Sequence, residues 1–212
     1  MDTRIFEDLP LIGILRGIKP DDAEPLIEAV VRAGLPAVEV TLNTPGSMEI
    51  ISRMKSASRG RISIGAGTVL SVKGVRSAVS AGAEFIVMPV ADEDVVSECV
   101  KKGILAFPGA FTPSEIFRAW KMGAYMVKVF PSGMFGPKYI KEVKAPLDDI
   151  RVIAVGGVRP DNIEEYFSSG ASAVAFGASV FRKEWLDNRD FLSIENRVAS
   201  YVNGVRAAVS RA

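Results

Sequence analysis

The chain has 212 residues, with 26 Lys and Arg against 25 Asp and Glu, a formal net charge of +1. That balance leaves no global field to recruit nucleic acid or an anionic membrane surface, and the length suits one domain over residues 1–212 with a sizeable core. Histidine is absent and cysteine occurs once, which removes the commonest general base, the usual zinc ligand sets and any internal disulfide. Proton transfer therefore falls to Glu, Asp, Lys, Tyr or water, and a zinc-dependent mechanism is not expected. There is no secretory leader pattern and no apolar run long enough to span a bilayer. With the lone cysteine, this makes a cytoplasmic location the expectation.

A unit recurs along the chain: a short apolar strand, a loop, a helical stretch, and a glycine before the next strand. The expected strands are residues 11–15, 37–41, 62–65, 84–88, 104–107, 125–129, 152–155 and 173–176. Each is a continuous apolar run rather than an alternating one, as parallel strands covered on both faces require. The first long helix is expected over 21–32, with Ala23, Leu26, Ile27, Val30 and Val31 along one face, Pro20 and Asp21 at its start and Gly34 at its end. Gly82, Gly103, Gly123 and Gly170 occupy the same terminating position in later units, where glycine takes the left-handed conformation that turns the chain into the next strand. Cys99 lies in a helical stretch over 93–102 and reads as a small apolar filler. Residues 191–212 read as a final helix on the outside. Eight such units predict a (β/α)8 barrel, with an open doubly wound sheet as the alternative.

In a (β/α)8 barrel the chemistry gathers at the C-terminal ends of the strands. Two charges interrupt otherwise apolar strands, Glu39 in the second and Lys128 in the sixth. A buried ammonium without a partner is costly and tends to give up its proton, and a neutral amine is a nucleophile suited to imine formation with a carbonyl. Two readings stand on the residues alone: a structural ion pair inside the barrel, or a nucleophile with a carboxylate that shuttles protons. Gly156-Gly157 and Gly177-Ala178-Ser179 follow the last two strands, where such barrels bind phosphate through backbone N–H groups. Arg16, directly after the first strand, can hold a carboxylate or phosphate. Thr68 can offer a hydroxyl, Phe130 can wall the pocket beside Lys128, and Ser132 ends the same segment. Lys138, Lys141 and Lys144 read as a solvated helix face.

Several segments together resemble the class I 2-keto-3-deoxy-6-phosphogluconate (KDPG) aldolase family. They are GILRGI at 13–18, VEVTL at 38–42, IGAGTV at 64–69, PG at 108–109 with TP at 112–113, VKVFP at 127–131, AVGGV at 154–158 and FGAS at 176–179. The resemblance implies a homotrimeric barrel lyase that needs no cofactor and cleaves a phosphorylated 2-keto-3-deoxy sugar acid to pyruvate and glyceraldehyde 3-phosphate. It makes Lys128 the imine-forming lysine and Glu39 the proton carrier. Arg16 and Thr68 would hold the pyruvate portion, Pro89 and Phe130 would line it, and the two glycine turns would meet the phosphate. Asn43 and Val155 stand where the gluconate branch often carries arginine and threonine, and look more like the branch acting on the 6-phosphogalactonate epimer. Met88 and Val90 differ from the small residues usual around Pro89. The competing functions are a sugar-phosphate isomerase or epimerase with Glu39 as base, and a non-catalytic sugar-phosphate binding protein with Glu39 and Lys128 as a structural pair.

Overall fold

The computed structural model describes residues 4–211. A short helix α1 (Arg4–Asp8) leads into β1 (Leu11–Leu15), α2 (Ala23–Arg32), β2 (Ala37–Thr41), α3 (Ser47–Ser58), β3 (Ser63–Gly67) and α4 (Val72–Ser80). There follow β4 (Phe85–Val87), α5 (Glu93–Lys101), β5 (Leu105–Phe107), β6 (Gly109–Ala110), α6 (Pro113–Lys121), β7 (Val127–Val129) and α7 (Gly136–Lys144). The chain ends with β8 (Val152–Val155), α8 (Ile163–Ser168), β9 (Ala173–Phe176), α9 (Lys183–Asp187) and α10 (Phe191–Val209). The final helix expected to residue 212 thus stops at Val209, and Ala212 lies outside the described residues.

All strand pairs are parallel, in the order β5-β4-β3-β2-β1-β9-β8-β7-β6. The two end strands of that order are consecutive in the chain, parted only by Pro108. The Tyr125 N–H donates to the Ala106 carbonyl at 2.9 Å and the Lys128 N–H to the Pro108 carbonyl at 2.8 Å, so the sheet closes on itself. The barrel expected from eight units is present, and the open sheet is excluded. The expected fifth strand is present as β5, and a further two-residue strand, β6, follows it beyond Pro108, whose missing N–H interrupts the ladder. Its successor Gly109 passes so close to strand β4's end that a Cβ there would lie 2.2 Å from the Pro89 carbonyl oxygen.

Continuous apolar strands have two faces to bury, and the barrel gives them two cores. The outer core lies between strands and helices, where Ala23, Leu26, Ile27 and Val30 of α2 are all buried. The inner core fills the barrel with Ile12, Phe85, Val87, Phe107, Ile153 and Val155 among others. Its floor is Phe6 of α1, whose ring meets those of Phe85, Phe107 and Tyr125 at centroid distances of 5.5, 5.4 and 5.9 Å. Gly34, Gly82, Gly103, Gly123 and Gly170 all have φ between 64° and 106°, the left-handed helix exits expected of them. Cys99 is fully buried, and desolvation pushes its thiol up to about 11, which suits a packing role. One expectation is corrected. Lys138 and Lys141 are exposed, but Lys144 is half-buried and donates to the carbonyls of Asp148 and Ile150. The turn after α7 leaves those oxygens without helical partners, and the ammonium satisfies them.

Candidate active site

Glu39 and Lys128 are the middle residues of β2 and β7. Both point into the barrel and line the same enclosed space above the Phe6 floor, together with Ile12, Ile14, Phe107 and Ile153. The space is narrow, with a cavity volume of about 10 Å³, and has almost no polar wall apart from the two charges. Lys128 is 8% exposed and Glu39 1%. Desolvation raises the Glu39 carboxyl above its ordinary value, and the positive charges of Lys128 and Arg16 only partly oppose it. The influence of Lys128 is exerted through space rather than through a hydrogen bond. Room for Glu39 comes from β3, which turns two glycines inward: a Cβ on Gly67 would lie 2.4 Å from Glu39 Oε1, and one on Gly65 would lie 2.3 Å from the Phe85 ring.

The space opens toward a larger cavity of about 770 Å³ at the C-terminal ends of β1, β8 and β9. Ile14 and Val155 border both spaces. Gly156, Gly157, Gly177, Ala178 and Ser179, the two turns expected at the phosphate end, line this cavity together with Arg16 and Phe130. Phe130 stands between the two regions, with its ring centroid 5.3 Å from Lys128 Nζ. The Arg16-Gly17 turn is anchored from β2: the Gly17 N–H donates to Thr44 Oγ1 at 2.9 Å, and that hydroxyl lies 3.0 Å from Thr41 Oγ1.

Three expected contacts lie elsewhere. Ser132 is fully buried and donates to the carbonyls of Val155 and Gly156 at 3.1 and 2.8 Å. Its hydroxyl thus holds the turn after β8 and does not line the cavity. Thr68 (φ 57°) and Pro89 are half-buried at the ends of β3 and β4, outside the lining of either space. Ser179 lines the cavity, but its hydroxyl lies 3.0 Å from the Tyr201 hydroxyl, which itself donates to the Val158 carbonyl at 3.0 Å. Two cations not singled out from sequence do line the cavity, Arg159 and Lys183. Arg159 lies two residues beyond the Gly156-Gly157 turn and was legible by the strand-end rule. Lys183 starts α9 and carries no such signal.

The family model described as KDPG and KHG aldolase matches residues 3–197. The 2-dehydro-3-deoxy-6-phosphogalactonate aldolase of Escherichia coli (strain K12) is 39% identical over 202 residues, covering 95% of this chain and 97% of the relative. A native KDPGal structure superposes with a TM-score of 0.89 at 38% identity, covering 95% of this chain and 97% of that one. A KDPG aldolase from Legionella pneumophila, with pyruvate captured at low pH as a covalent carbinolamine intermediate, gives a TM-score of 0.85 at 26% identity. That match covers 93% of this chain and 96% of its own.

Proposed function

Because the chain belongs to the KDPG and KHG aldolase family, we propose that it is a class I aldolase, a carbon–carbon lyase that cleaves a 2-keto-3-deoxy-6-phospho sugar acid to pyruvate and glyceraldehyde 3-phosphate. The observation that carries this reading is the shared enclosure of Lys128 and Glu39 in one nearly apolar space inside the barrel. A relative in which pyruvate is held as a covalent carbinolamine supports it.

In the proposed mechanism the Lys128 amine attacks the C2 ketone to form a carbinolamine. Glu39 donates a proton to the departing hydroxyl, and water leaves. The resulting iminium is an electron sink. The C3–C4 bonding pair flows into it to give an enamine, while Glu39, acting through water, takes the C4 hydroxyl proton as that carbon becomes the aldehyde. Glyceraldehyde 3-phosphate departs. Protonation of the enamine at C3 and hydrolysis of the iminium then release pyruvate and restore the amine. A carboxyl whose proton affinity is raised by burial suits a group that must both give and take a proton in one cycle. Arg16 is assigned to the substrate carboxylate because its charge reaches Glu39, and Phe130 covers the imine. The turns at Gly156-Gly157 and Gly177-Ala178-Ser179 receive the phosphate through backbone N–H groups, and Ser132 acts by holding the first of them.

Asn43, Val155 and the 39% identity to a phosphogalactonate aldolase support the galactonate epimer as the preferred substrate. We also place the enzyme in the cytoplasm, as a homotrimer of single-domain chains serving carbohydrate catabolism of the Entner–Doudoroff type. Among the described residues no helix is long and apolar enough to cross a membrane, and Met134 and Phe135 are exposed beside the stacked rings of Phe111 and Tyr139, an apolar surface that assembly would cover. The deciding experiment is borohydride reduction in the presence of pyruvate. Wild type is expected to gain a covalent mass on Lys128, and Lys128→Ala to gain none. An isomerase or a binding protein would give no adduct in either.

A further inference from the structure

A phosphate monoester carries close to two negative charges at neutral pH, and the two glycine turns offer it only neutral N–H donors. Side-chain hydroxyls add little there. The Ser132 hydroxyl is committed to two carbonyls. Tyr201 spends its proton on Val158, so Ser179 must give its own to Tyr201. The charge that recognises the phosphate must come from elsewhere on the cavity wall.

That wall carries three cations, Arg16, Arg159 and Lys183. Arg16 acts on Glu39 and so belongs to the keto-acid end. Arg159 and Lys183 remain for the opposite end of the sugar chain. Each is held by an exposed carboxylate: Arg159 Nε lies 3.1 Å from Asp161, and Lys183 Nζ lies 2.5 Å from Asp187. Exposed pairs of this kind are weak, and a phosphate dianion competes well for both partners, above all for a planar guanidinium.

We propose that Arg159 and Lys183 form a two-cation clamp that reads the phosphate of the substrate, with Asp161 and Asp187 as stand-in partners that release them when it arrives. The clamp makes the enzyme selective for phosphorylated keto acids over their unphosphorylated counterparts. This inference rests on the aldolase reading of the same site, and concerns which residues set its substrate class.

The test uses two ligands that share the keto-acid end and differ in phosphate. Steady-state cleavage gives KM for the phosphorylated acid, and borohydride trapping gives the pyruvate concentration that half-saturates Lys128. Each of Arg159→Gln and Lys183→Gln should raise KM about tenfold, and the double variant should raise it further than either alone, while half-saturation by pyruvate moves by less than about twofold. Asp187→Asn, which frees Lys183, should lower KM. An unchanged KM in the double variant would overturn the clamp, and so would an equal rise in both quantities. A wild-type chain that forms no pyruvate adduct would instead overturn the aldolase reading beneath it.

Discussion

Glu39 occupies the volume that a side chain on Gly67 would need: a Cβ there would lie 2.4 Å from Oε1 and 2.6 Å from the carboxyl carbon. Residue 67 pairs with Thr41 across the β2–β3 ladder, so it sits one inward step above Glu39 itself. The absence of a side chain on one strand is what lets a carboxylate on its neighbour lie inside the barrel and share a space with Lys128.

Gly67→Ala is therefore expected to push the Glu39 carboxyl aside. A displacement of about 1 Å costs on the order of a hundredfold in turnover, whereas Lys128 is untouched. Cleavage rate and borohydride trapping, measured on the same preparation, separate the two effects. Loss of turnover with the adduct retained is the expected result, and unchanged turnover would show that Glu39 needs no fixed position.

Burial of Glu39 also links activity to stability. Folding raises its proton affinity above the ordinary value of 4.5, so folding favours the protonated form. The associated stability is present in full below pH 4.5 and is lost as pH rises through the folded value. Glu39→Gln removes that loss. Urea titrations should show the variant more stable than wild type at pH 8, with the difference shrinking as the medium is acidified below 4.5. Its turnover should fall steeply at every pH. A variant that is less stable at pH 8 would mean that the carboxylate gains more from Lys128 and Arg16 than it loses to desolvation.

Val155 borders both the reaction space and the outer cavity and directly precedes the Gly156-Gly157 turn assigned to the phosphate. Val155→Thr adds one hydroxyl at nearly constant volume. The ratio of kcat/KM for the galactonate epimer to that for the gluconate epimer should fall about tenfold. Rates for the two acids measured side by side decide it, and an unchanged ratio would move epimer selection to another wall.

Ser132→Ala removes the two hydrogen bonds that hold the carbonyls of Val155 and Gly156. It should cost about 1–3 kcal/mol of stability by leaving buried acceptors unpaired, as read from the denaturation midpoint. KM for the phosphorylated acid should rise as the glycine turn loosens. A variant as stable as wild type would indicate that water replaces the hydroxyl.

Features governed by neighbours in the chain are legible in the sequence alone. Apolar runs marked the strands, five glycines at left-handed φ marked the helix exits, and two charges in apolar strands marked the reaction space, because a period, a backbone preference and a desolvation cost are each a property of a short segment. What depends on distant pairing was decided only in three dimensions. Nothing local to Ser132 says that its hydroxyl goes to a carbonyl 23 residues away, nor that Ser179 and Val158, joined by Tyr201 across separations of 22 and 43 residues, share one phenol. The extra strand beyond Pro108, the glycine that makes room for Glu39, and the approach of Arg159 and Lys183 to one cavity belong to the same class. Each is a matter of which surfaces closure of the barrel brings together, and that is settled by packing all the strands at once.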